Sequence, residues 1–117
     1  MHIDDYIRLC ANMSGAQLDR PFTGSDTLIA RHALSRKWFA ALMLDMRPPF
    51  VNLKCTPIEG DLLRQSFAGI RPGYHMNKQH WISVSFDSDV PYDLIRQLTI
   101  RSYELTQPKR PRSKDLK

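Results

Sequence analysis

The sequence predicts an α+β domain, and three observations carry the prediction. Residues 50–55 and 81–86 alternate apolar and polar side chains, the period of strands with two unlike faces. Ile3, Tyr6, Ile7 and Cys10 recur at helical spacing near the start, as do Leu94, Ile95, Leu98 and Leu105 near the end. Between them Thr56-Pro57-Ile58-Glu59 spells a helix start, with an N-cap, proline at the first helical position and a capping-box glutamate. The element order reads αβββαββα. With hairpins joining neighbouring strands, that order makes one antiparallel sheet with helices packed on one face.

Each element has its own signal. The first helix places Asp4 and Asp5 in its positive first turn and ends by Gly15. Pro21, Phe22 and Gly24 mark a loop, Thr27 to Arg31 a short strand, and Lys37 to Leu44 a nearly continuous apolar one closed by Pro48-Pro49. Trp38 and Phe39 straddle that strand, one ring for the core and one for the surface. In the next strand Val51, Leu53 and Cys55 point to the core, and Phe50, Asn52 and Lys54 to a partly wet face. The middle helix turns Ile58, Leu62, Leu63 and Phe67 inward, and Gly60 in its first turns costs about 1 kcal/mol with no evident return. A turn at Asn77-Lys78 would pair Met76 with Gln79, His75 with His80 and Tyr74 with Trp81. Asp89 is placed to cap the last helix, which Pro108 ends; Ser102 lies on its apolar side, an odd place for a hydroxyl. Residues 1–106 thus make a single domain and 107–117 a basic, disordered tail.

The 117 residues carry a formal charge of +5, most of it in that tail. Lys109, Arg110, Arg112, Lys114 and Lys117 face a single acid there, Asp115. Inside the domain the signs are segregated: no carboxylate occurs between Leu62 and Phe86, and Asp45 is the one acid between Arg31 and Lys54. Two base-rich stretches lying side by side would form a face attractive to phosphates. The longest apolar run, Trp38 to Leu44, is too short to cross a bilayer. Two cysteines, Cys10 and Cys55, make no disulfide framework, so a cytoplasmic, membrane-free monomer is expected.

Val51-Asn52-Leu53-Lys54-Cys55, the run Pro72-Gly73-Tyr74-His75-Met76-Asn77-Lys78 with His80-Trp81, and Ser102-Tyr103-Glu104-Leu105 together resemble the YjbR/MmcQ-like family. The resemblance implies a frataxin-like (CyaY-like) fold, DNA binding through two β-hairpin wings, and no enzymatic activity. One departure stands out. The family's Gly-Lys-x-Phe pattern reads Arg36-Lys37-Trp38-Phe39 here, which should reshape the first wing.

The expected function is therefore weak, non-enzymatic DNA binding through phosphates. Lys78, Lys37, Lys54, His75, His80, Asn77 and Arg36 are the candidate contacts, and Tyr74, Trp81, Ser102 and Tyr103 the residues that hold the ribbon. Two other classes stay open: a protein-interaction or small-ligand module in the same cleft, and an enzyme built on His75, His80 and Ser102. For the enzyme, no Gly-x-Ser-x-Gly elbow or paired-carboxylate signature appears. For a metal, His75 and His80 would need His32 or Cys55 as further ligands, and no Cys-x-x-Cys or His-Glu-x-x-His spacing is present. Iron binding in the manner of frataxin lacks clustered oxygens, since the first helix offers only Asp4 and Asp5. No cofactor and no metal are expected.

Overall fold

Along the chain, helix α1 (Ile3–Ala11) leads into strands β1 (Ala16–Asp19), β2 (Leu28–His32), β3 (Trp38–Met43) and β4 (Phe50–Lys54). Helix α2 (Pro57–Ser66), strands β5 (Ile70–Pro72) and β6 (Trp81–Ser85), and helix α3 (Tyr92–Leu105) follow. The computed structural model describes residues 3–108, so the expected disorder of the tail lies, beyond Pro108, outside the described residues. The strands form one antiparallel sheet in the order β1-β2-β3-β4-β6-β5. Among the described residues no helix is long and apolar enough to cross a membrane.

The α+β reading holds, with one strand more than αβββαββα. Residues 16–19 carry Leu18 as their one large apolar side chain, too little for a local strand signal. What extends them is the ladder to β2, from Ala16↔His32 to Asp19↔Ile29. Gly15, at φ 69°, makes the turn from α1 into this edge strand.

One sheet face is covered by helices. Leu42, Val51, Leu53, Ile82 and Val84 pack there against Tyr6 of α1 and Ile95 of α3, each buried side chain contributing about 1.5–3 kcal/mol. Tyr6 donates or accepts a hydrogen bond of 2.7 Å with Thr99, which ties α1 to α3 across the core.

The other face differs from expectation. Phe50 and Asn52 are buried, not partly wet, because the chain at 73–76 folds back over them. Tyr74 sets its ring edge-on to Phe50, and its carbonyl accepts from Asn52 Nδ2 at 2.9 Å.

Helix α2 begins as its sequence specifies. Glu59 N donates to Thr56 Oγ1 at 3.3 Å, and the Glu59 carboxylate accepts from Thr56 N. Its inward face is not the expected one, for Ile58 and Leu62 are 75% and 58% exposed. The helix leans on the sheet along Gly60, Leu63 and Phe67, and Ile58 and Leu62 lie opposite that line. Gly60 explains the tilt: a Cβ there would stand 2.9 Å from Cys55 Sγ and 3.1 Å from an Arg64 nitrogen. Close approach is thus the return on its helix cost.

Asp89 also has another role. Helix α3 starts at Pro91 without a side-chain cap, while the Asp89 carboxylate accepts from Ala68 N and Gly69 N, both at 2.7 Å, and fastens the end of α2.

Candidate functional site

The site begins at a defect in the sheet. Between β2 and β3, Ala30 pairs with Ala40 but Arg31 pairs with Trp38, so Phe39 is the extra residue of a β-bulge. The bulge turns Phe39 into the core, fully buried, and leaves Trp38 half-buried on the opposite side. The β3–β4 ladder stops at Ala40↔Leu53. Where its next rung would fall, a hydroxyl from α3 intervenes. Ser102 Oγ donates to the Phe39 carbonyl at 2.6 Å and accepts from Lys54 N at 2.8 Å. The odd hydroxyl on the apolar helix face is a bridge between two strands.

Beyond this bridge the strand ends bound a cleft of about 320 Å³, lined by Lys37, Trp38, Lys54, Met76, Trp81 and the end of α3. Lys37 and Lys54, separate in sequence, share one cavity. Among the described residues no hydrogen bond or ion pair engages either ammonium. Arg36 is less available: its guanidinium donates to Gln17 at 2.9 Å and lies 3.9 Å from the Asp19 carboxylate. It also holds φ 69°, the left-handed backbone conformation that glycine favours.

The 73–80 segment is not a tight ribbon. Pro72 pairs with Ile82, and Gly73 N donates to Trp81 O at 3.0 Å, so Trp81 stands opposite Gly73 and not Tyr74. The expected His75–His80 and Tyr74–Trp81 pairs do not form. The physical reason lies in the loop's own bonds. Asn77 Oδ1 accepts from Gln79 N and His80 N, Lys78 Nζ donates to the carbonyls of Gly73 and Met76, and His75 takes φ 59°. Asn77 and Lys78 therefore brace the loop from within. Gly73 is required, because a Cβ would fall 2.7 Å from that of Trp81. His80 is exposed at the loop's end, where its carbonyl accepts from Cys55 N.

Beneath this loop lies a second cavity of about 270 Å³ on the helix-free face. Phe22, Trp38 and Tyr74 wall it, Ile29 and Ala41 form its floor, and His75 and Met76 border it. Trp38 and Met76 belong to both cavities. Its polar lining is Thr27, His75 and the buried Asn52, whose Oδ1 accepts from Ser83 Oγ, which in turn accepts from Tyr74 N at 2.9 Å. Sequence reasoning missed Phe22, Met76, Asn52 and Ser83. The one available signal was a polar pair, Asn52 and Ser83, at outward positions of two strands that become neighbours only in the sheet.

The remaining candidates are scattered. His32 sits on the helix side, buried, bonded to Thr106 at 2.8 Å, its ring tilted against that of Tyr103. Burial, with Lys37 nearby, pushes its imidazole below the ordinary value. Burial raises the Cys55 thiol. Tyr103 donates to the Ser14 carbonyl, anchoring α3 to the chain after α1. His32, His75, His80 and Cys55 do not converge, and among the described residues no group of three or more His, Cys, Asp or Glu side chains is placed to hold a metal. Ser102 is fully buried with its proton on Phe39.

A family model described as YjbR matches residues 11–105. The chain belongs to the YjbR family. Among YjbR relatives, it is 35% identical over 88 residues to the uncharacterised protein YyaQ of Bacillus subtilis, spanning 66% of this chain and 73% of that one. It is 30% identical over 104 residues to the uncharacterised protein YjbR of Escherichia coli, covering 89% and 86%. A shorter stretch of 57 residues is 46% identical to the uncharacterised Escherichia coli protein YbdF, 49% of this chain and 47% of that protein. The fold is shared with a crystal structure from Deinococcus radiodurans at a TM-score of 0.84 and 31% identity, covering 97% of this chain and 86% of that one. A Pseudomonas syringae crystal structure matches at 0.82 and 30%, covering 92% and 100%.

Proposed function

We propose that this protein binds nucleic acid without catalysing a reaction, holding phosphates at the cleft between Lys37 and Lys54. One observation carries the reading: two lysines remote in sequence meet, unpaired among the described residues, across a cleft walled by Trp38 and Trp81. Ammonium groups supply sequence-independent attraction to phosphates, and indole faces suit stacking. The turn at 33–37 and the loop at 73–80 stand at the same end of the sheet, flanking Lys54 between them, which supports a pair of wings on a frataxin-like sheet. His75, His80 and Arg36 lie at the margin; Asn77 and Lys78 shape the loop. Leu105 and Thr106 reach the cleft wall.

Binding should weaken linearly in log affinity against log salt, with a slope of about −0.9 per neutralised phosphate on a duplex and about −0.7 on a single strand. Replacing both Lys37 and Lys54 by Ala should reduce that slope by about 2 units. Removing residues 107–117 should reduce it further without abolishing binding. An undiminished slope in the double variant would shift the reading to its rival, a small-ligand module, which the half-open apolar cavity beside the cleft favours.

A further inference from the structure

Resting on that reading, we infer that the cavity beneath Phe22 and the 73–76 loop takes an unpaired base, so that the ligand is a single strand and not a duplex. The cavity is apolar and walled by flat rings. The Trp38 ring meets Phe22 edge-on at 6.1 Å, and Tyr74 lies 4.0 Å from the His75 ring. Ala41 at the floor leaves space that a larger strand residue would fill. The size, about 270 Å³, suits one small planar group and not an extended ligand.

Its polar lining is sparse. Thr27, His75 and Asn52 border it, and Asn52, 1% exposed, has its amide already bonded to Tyr74 O and Ser83, so recognition falls to the rings and tolerates any base. The phosphate follows from the neighbouring cleft. Trp38 and Met76 partition the two cavities, so a base on one side places its backbone toward Lys37 and Lys54 on the other. A duplex keeps its bases stacked and paired, and none reaches this depth.

The loop that roofs the cavity is held in place before any ligand arrives. Lys78 donates to two of its carbonyls, Asn77 caps its turn, and Ser83 holds Tyr74 N. Binding then costs little ordering of the loop.

The experiment uses the full chain and three fluorescent ligands: an oligothymidylate of about 12 nucleotides, an abasic phosphodiester of the same length, and a duplex. The thymidylate should bind about tenfold or more tighter than the abasic strand, because stacking is lost while charge is kept. It should also outbind the duplex, and free thymidine monophosphate should bind more weakly than the strand. Ala41→Leu, which fills the floor, and Phe22→Ala, at the exposed rim, should each erase the preference over the abasic strand and leave the salt slope intact. Equal affinity for thymidylate and abasic strands, with the slope preserved, overturns the base pocket while the phosphate reading stands. No salt-dependent binding of any ligand overturns both. Uptake of an uncharged naphthalene dye that thymidylate does not displace assigns the cavity to an apolar ligand and overturns the inference.

Discussion

Ser102→Ala tests the bridge on which the cleft depends. The hydroxyl makes two hydrogen bonds across the gap between β3 and β4, 2.6 Å to the Phe39 carbonyl and 2.8 Å from Lys54 N. Its own relative exposure is 0%, so no water replaces it without a shift of α3. Removing it leaves a buried carbonyl and a half-buried N–H without partners, at about 1–3 kcal/mol each. Alanine returns about 0.5 kcal/mol through its better helix propensity. The net loss expected is about 1.5–5.5 kcal/mol, which in a domain of this size lowers Tm by about 6 °C or more. Urea denaturation followed by circular dichroism measures it, and an unchanged m-value would show that the native state alone was affected. A loss below about 0.5 kcal/mol would mean that the two strands close onto each other without the hydroxyl, and the account of the bulge would fail.

Three other outcomes follow from the packing and the charges. Gly60→Ala should destabilise by about 1 kcal/mol in the same denaturation assay, because crowding against Cys55 outweighs the helix propensity gained; a gain of stability would refute the close approach. Arg36→Gly relieves about 1–2 kcal/mol of left-handed strain and costs about 0.5–1 kcal/mol in unfolded-chain entropy, so stability should stay level or rise by up to about 1 kcal/mol. His32, depressed chiefly by burial, binds its proton more weakly folded than unfolded. Its contribution is therefore complete above the unfolded value of about 6.5 and is lost as pH falls through the lower folded value. Wild-type stability should drop between about pH 7.5 and 5 by more than that of His32→Gln; parallel curves would exclude the imidazole as the source.

Much of the fold was legible because the signals are local. The capping box at Thr56, the alternation of Val51, Leu53 and Cys55, and the helical spacing of Ile95 and Leu98 each act within a few residues. Signals that depend on a distant partner were not legible. Strand β1 exists through its rungs to β2, Asp89 binds the N–H groups of Ala68 and Gly69 just past the distant end of α2, and Gly60 answers to Cys55 across a helix–sheet contact. The 73–80 register failed for a related reason: pairing rules for a tight ribbon do not include a lysine that folds back onto its own loop's carbonyls.

By itself the sequence determined the class of the domain, the start of the middle helix, the core-facing side of the strands and the family, and it singled out Lys37 and Lys54 as residues suited to an anion. Only the tertiary structure decided that the two lysines meet, that Lys78 is spent inside its loop, and that an apolar cavity adjoins the cleft. The difference is physical. Propensity and periodicity are written along the chain, whereas a cavity is the space left where a bulge, a bridging hydroxyl and a folded-back loop hold distant residues apart.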